Sequence, residues 1–133
     1  MTVLADTSAM IAARRRGMPA FALFDEFAEG ALWICDVVRL ELLRGAPNPR
    51  AMRTLRAELD ELLNASIDED VWRRAMDVYE GLSRLKGGRH RGVKPTDVLV
   101  AAAAEAHDLA VLHDDAHFDL IGEVTGQELI RLP

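Results

Sequence analysis

Four carboxylates, Asp6, Glu41, Asp97 and Asp115, are the residues of this chain best placed to do chemistry. They are far apart in sequence, yet each stands beside a short apolar run. Asp6 follows Val3-Leu4-Ala5 and Asp115 comes soon after Ala110-Val111-Leu112, while Glu41 and Asp97 lie inside or at the start of apolar helical patterns. A carboxylate buried among apolar side chains needs a partner or a metal. Gathered by a fold, the four would form an oxygen-rich pocket suited to Mg²⁺ or Mn²⁺.

Each acid also has a simpler reading. Asp6 precedes Thr7-Ser8-Ala9 and can cap a helix there. Glu41 lies three and four residues after Val38 and Val37, on their side of a helix, but could instead pair with Arg44 at i+3. Asp97 falls in the first turn of an apolar helix, where the macrodipole favours a negative charge. Asp115 belongs to His113-Asp114-Asp115-Ala116-His117-Phe118-Asp119, a segment dense in donors, and spacing does not say which member points inward.

Alternating strands and helices must position these groups. Thr2 to Ala5 reads as a buried strand, followed by a helix towards Arg14-Arg15-Arg16 that Gly17 and Pro19 stop. Phe21, Phe24, Phe27 and Ala28 recur at helical spacing, predicting a helix from about Pro19 to Glu29. Leu32-Trp33-Ile34 is the next strand, and Asp36 is expected to cap a helix from Val37 to Arg44. Asn48-Pro49 opens a helix to about Leu63 with Met52, Leu55, Leu59 and Leu62 on one stripe. Asp68 caps another through about Leu85, with Val71, Trp72, Ala75, Val78, Tyr79 and Leu82 expected to face inward. After a Gly-rich basic loop, Lys86 to Pro95, Thr96 is expected to cap a helix that is apolar on nearly all sides from Val98 to Ala104. Ala110 to Leu112 is a strand, Phe118 to Ile121 a helical turn, and Leu129-Ile130 a last strand. This alternation predicts an α/β sandwich on a mostly parallel sheet, with ligands at the carboxyl ends of the strands.

At 133 residues the chain is expected to form a single domain, residues 1–133. With 50% hydrophobic and 29% charged residues it reads as a soluble globular protein, and no apolar run approaches the roughly 20 residues that span a bilayer. An acid as early as Asp6 and no basic region before it lead to the expectation of no signal peptide. Cys35 is the only cysteine, which excludes an intrachain disulfide and fits a reducing cytoplasm. The net charge of −6 taken alone disfavours a polyanionic partner, but acids gathered in one pocket and neutralised by cations leave bases elsewhere free to act. Arg84, Lys86, Arg89, His90, Arg91 and Lys94 lead directly into Asp97, so phosphate contact is expected there, more than at Arg14 to Arg16. The alternative is a solvated loop.

Several chemistries are disfavoured. One cysteine, histidines expected at the periphery and no common zinc-ligand spacing argue against zinc. Ser8 has no His or Lys in its motif to activate it as a nucleophile, and no G-x-S-x-G, Walker-A or dinucleotide glycine pattern is present.

The segments Leu4-Ala5-Asp6-Thr7-Ser8-Ala9, Val38-Arg39-Leu40-Glu41-Leu42-Leu43-Arg44-Gly45, Pro95-Thr96-Asp97-Val98-Leu99-Val100-Ala101-Ala102 and Leu112-His113-Asp114-Asp115-Ala116-His117-Phe118-Asp119 together resemble the successive motifs of PIN-domain nucleases. Within that family the chain is similar to the small bacterial VapC-type toxins. The resemblance implies a PIN-like α/β/α sandwich and a Mg²⁺-dependent endoribonuclease, with Mn²⁺ as a substitute metal. It further implies a cognate antitoxin as partner, and assembly as a homodimer or toxin–antitoxin hetero-oligomer. It makes Asp6, Glu41, Asp97 and Asp115 the catalytic metal-binding acids. Ser8 matches a supporting polar position, His113 stands where the family often has Thr or Ser, and Asp114 and Asp119 are candidate supporting acids ranked below Asp115. Arg84, Lys86, Arg89, Arg91 and Lys94 become the RNA contacts. Two readings compete with this one: a catalytically inert RNA- or protein-binding module on the same fold, and a phospho-acceptor signalling domain. The last would want a lysine after a late strand, and none follows Val111-Leu112.

Overall fold

A computed structural model describes residues 2–15 and 30–132. The helix expected over Pro19 to Glu29, with Phe21, Phe24 and Phe27, lies outside the described residues. Five strands, β1 (Val3–Ala5), β2 (Leu32–Ile34), β3 (Leu63–Asn64), β4 (Ala110–His113) and β5 (Leu129–Arg131), form one sheet in the order β3-β2-β1-β4-β5. Every pairing is parallel. Six α-helices accompany them among the described residues: α1 (Thr7–Arg15), α2 (Asp36–Arg44), α3 (Pro49–Asp60), α4 (Glu69–Arg84), α5 (Pro95–Ala106) and α6 (His117–Thr125).

The three-layer arrangement follows from the two-residue period of the strands. Val3, Ala5, Leu32, Ala110 and Leu112 point to one face, where they pack with Ala9, Met10 and Ala13 of α1. The alternate residues Leu4, Ile34 and Val111 enter the larger cluster on the other face, with Val38, Leu59, Val78, Leu82, Phe118 and Ile121. Helix α5 is the centre of that cluster, buried at every position from Asp97 to Ala104. A helix apolar on all sides has to lie inside the protein, and this one brings its N-terminal Asp97 into the interior with it.

Local details correct several sequence expectations. Helix α2 begins at Asp36 itself, with Cys35 as the N-cap residue and no side-chain cap. Helix α3 is capped by Asn48, whose side chain accepts from the Ala51 N–H, but it stops at Asp60. Leu63 and Asn64 then leave it to pair with Trp33 and Ile34 as the edge strand β3. Helix α5 starts with Pro95 at its first position after Lys94, so Thr96 is inside the helix rather than its cap. The Phe118 to Ile121 turn is part of the nine-residue helix α6. Trp72 is 50% exposed and therefore does not join the inward stripe of α4.

Candidate active site

Parallel strands all end on one edge, and that edge carries the acids. Asp6 follows β1, its backbone N–H donating to the Leu112 carbonyl of β4 at 2.9 Å. The loop after β4 holds Asp114 and Asp115, and the first turn of α5 holds Asp97. Asp6 and Asp97 are buried, only 4% and 6% exposed.

Ser8 organises the centre of this edge. Its hydroxyl donates to Asp6 Oδ2 at 2.6 Å and its backbone N–H to the same oxygen at 3.0 Å. The Ser8 hydroxyl also accepts from the Asp114 N–H at 3.0 Å, tying the start of α1 to the loop after β4. Burial pushes the Asp6 carboxyl above the usual carboxylate range despite these bonds, and the Asp115 charge adds to the effect. Asp97 is pushed up to about 6, first by burial and then by the charges of Asp6 and Asp115, with Lys94 and His117 opposing. Three acids thus repel one another, and Asp97 Oδ2 is buried with no hydrogen-bond partner.

Asp115 is held by its own loop. Its Oδ1 accepts from the His117 N–H at 2.9 Å, and its N–H donates to His113 Nδ1 at 3.2 Å. Because Nδ1 accepts, the neutral His113 ring carries its proton on Nε2. The ring is 1% exposed and packs at 4.9 Å from the Phe118 ring, and burial lowers its pKa. His113 therefore shapes the Asp115 loop through the backbone rather than by donating to a carboxylate.

The remaining sequence candidates are placed less centrally. Glu41 on α2 is exposed, not buried, and accepts from the Thr7 hydroxyl at 3.0 Å, which sets it beside the Asp6 turn. Asp114 and Asp119 are both exposed and face Arg131, at 3.7 and 3.6 Å. Arg84 ends α4; Lys86, Arg89, Arg91 and Lys94 are exposed along a short 3-10 turn (Arg89–Gly92) and its flanks, with Lys94 immediately before α5.

One residue is added by the structure. Asp97, Asp115 and His117 each present a donor atom, and the three atoms lie within 4.8 Å of one another. His117 Nδ1 is 3.4 Å from Asp115 Oδ1 and 3.7 Å from Asp97 Oδ2. The expectation that the histidines sit at the periphery fails here. A local signal was present for the turn alone: an Asp two residues before a helix start commonly accepts the helix N–H, as Asp115 does from His117.

Oxygen donors of this kind suit Mg²⁺ or Mn²⁺. The partnerless Asp97 Oδ2 and the mutual repulsion of the acids are what a bound cation would relieve, so the residues present fit a divalent metal.

A PIN domain model matches residues 3–124. The chain belongs to the PIN domain family. Within it, the chain is similar to VapC ribonucleases: it is 38% identical to Ribonuclease VapC18 of Mycobacterium tuberculosis (strain ATCC 25618 / H37Rv) over 94 residues, 71% of this chain and 69% of that protein. Ribonuclease VapC2 of Mycobacterium tuberculosis (strain CDC 1551 / Oshkosh) is 35% identical over 136 residues, 97% of this chain and 91% of its own length. The fold matches VapBC2 from Rickettsia felis, crystallised with a DNA fragment from their promoter, with a TM-score of 0.75 at 15% identity and full coverage of both chains. Among the described residues, no helix is long and apolar enough to cross a membrane.

Proposed function

We infer that this protein is a divalent-metal-dependent endoribonuclease, the toxin of a toxin–antitoxin pair acting in the cytoplasm. The observation that carries this reading is the convergence of Asp6, Asp97 and Asp115 at the carboxyl edge of the sheet, around an Asp97 oxygen that has no partner. Its similarity to VapC ribonucleases supports RNA as the substrate.

Asp6, Asp97 and Asp115 would hold Mg²⁺ or Mn²⁺, with Glu41 at the rim. Such a cation supplies charge neutralisation at the phosphoryl group and a deprotonated water at neutral pH. Hydrolysis then forms one bond from water oxygen to phosphorus and breaks the bond to the leaving nucleotide oxygen, which takes a proton. Ser8 keeps the Asp6 carboxylate in one orientation with two donated bonds. Asp97, protonated more readily than an ordinary aspartate, would exchange that proton for the cation. Arg84, Lys86, Arg89, Arg91 and Lys94 hold the RNA backbone electrostatically and read no sequence.

A cognate antitoxin controls the enzyme. Its apolar side chains fit the cavity of about 470 Å³ between α1, α2 and α3, lined by Met10, Ile11, Leu42, Pro47, Ala51 and Leu55. Leu59, on the same stripe of α3 as Leu55, is 1% exposed and belongs to the core instead. Helix-in-groove docking suits this cavity, and an antitoxin Arg reaching the acids would replace the metal charge.

The test is cleavage of an internally labelled RNA by the purified chain after chelation. Activity abolished by EDTA and restored by Mg²⁺ or Mn²⁺ is expected. An RNA bound but left intact under every metal tried would make this an inert binding module on the same fold.

A further inference from the structure

His117 is the one member of the acid cluster that is not an acid. Its Nδ1 is buried and has no hydrogen-bond partner, as is Asp97 Oδ2, 3.7 Å away. Two orphaned polar atoms thus face each other, with Asp115 Oδ1 3.4 Å from the same nitrogen. These separations are of the size found between neighbouring donors around a small divalent cation, and a buried donor left without a partner is costly unless something binds it. The backbone that carries the ring is held in place. The His117 N–H is bonded to Asp115 Oδ1, and His117 is the first residue of α6, whose Phe118 and Ile121 are anchored in the core.

We propose that His117 is a direct nitrogen ligand of the active-site metal and gives this site a preference for Mn²⁺ over Mg²⁺. Imidazole is a softer donor than carboxylate. It binds transition ions well and Mg²⁺ poorly, because Mg²⁺ favours oxygen ligands and its own waters. An all-carboxylate site holds either ion mainly by charge. Adding one nitrogen strengthens the hold on Mn²⁺ selectively.

The proposal rests on the acid site described above, and the experiment separates the two. Mn²⁺ is added at one equivalent to the metal-free full chain, and ¹⁴N coupling to the ion is read by pulsed electron paramagnetic resonance. Mn²⁺ and Mg²⁺ affinities are measured by calorimetry on the wild type, His117→Ala, His117→Asp and Asp97→Asn. The expected result is a directly coordinated ¹⁴N signal in the wild type that both His117 variants lose. His117→Ala should bind Mn²⁺ at least about tenfold more weakly, the lower end of the loss caused by removing even a group that only supports a ligand, with Mg²⁺ affinity changed less than the Mn²⁺ affinity. His117→Asp should bind both ions with the Mn²⁺ preference reduced. A wild-type signal without ¹⁴N coupling, or one that persists in His117→Ala, overturns the nitrogen ligand while leaving the acid site standing. Mn²⁺ binding unchanged in Asp97→Asn overturns the acid site, and the inference with it.

Discussion

The Ser8 hydroxyl lies between Asp6 and Asp114, donating to Asp6 Oδ2 at 2.6 Å and accepting from the Asp114 N–H at 3.0 Å. Ser8→Ala removes both bonds at once, and leaves Asp6 with backbone donors alone. The cost should be about 1–3 kcal/mol, the range for stranding a buried polar group, read by urea denaturation. Mn²⁺ affinity should fall as well, because Asp6 loses its fixed orientation. Unchanged affinity would limit Ser8 to a structural part.

In the metal-free protein, stability should depend on Asp97 with a definite sign. Its folded pKa of about 6 exceeds the ordinary 3.8, so the folded state binds the proton more tightly than the unfolded one. The contribution is fully present below about pH 4 and is lost as pH rises through about 6. At roughly 1.4 kcal/mol per pH unit, its upper limit is on the order of 3 kcal/mol. Asp97→Asn should therefore be more stable than the wild type at pH 7 and show a flatter stability profile between pH 4 and 6. A less stable Asn variant at pH 7 would mean that the buried acid is not strained by its neighbours.

Helices α4 and α6 meet at Gly81, where an added Cβ would collide with Val124 Cγ1. Gly81→Ala alone should destabilise, since overpacking costs about 1–3 kcal/mol and the better helix propensity of Ala returns only about 1. In a Val124→Ala background the sign should reverse, with Gly81→Ala stabilising by up to about 1 kcal/mol. Thermal denaturation of the four proteins checks this, and equal effects in both backgrounds would contradict the contact.

Replacing Arg89, Arg91 and Lys94 with Ala should weaken RNA binding without removing metal binding, which the loss of the Lys94 charge beside Asp97 should if anything strengthen. If all three contact phosphates, the log–log salt dependence becomes shallower by about 2 for single-stranded RNA. An unchanged slope would return the loop to solvent.

How much of this was legible in the sequence depends on what each element has to do. Strand β1 ending at Asp6 and the all-apolar helix α5 behind Asp97 are readable because burial on both faces forces unbroken apolar runs. The two-residue strand β3 is not, since Leu63 and Asn64 lie exposed at the sheet edge and continue the pattern of α3. Trp72 satisfies the helical period of α4 yet remains half exposed, because periodicity assigns a face but not how far the neighbouring layer extends. Glu41 shares the same limit: its side of α2 was legible, its exposure was not. The Asp115–His117 turn has a local signal, but the place of His117 beside Asp97 depends on contact between residues twenty positions apart, which no spacing encodes.

The most direct test of the account compares wild type and Asp97→Asn in cutting a 5′-labelled RNA at saturating Mn²⁺, with folding and RNA binding verified for both. The variant is expected to bind RNA and fold normally while cleavage falls by about 10³-fold or more, the scale of losing a central electrostatic group. Cleavage at the wild-type rate by Asp97→Asn would contradict it.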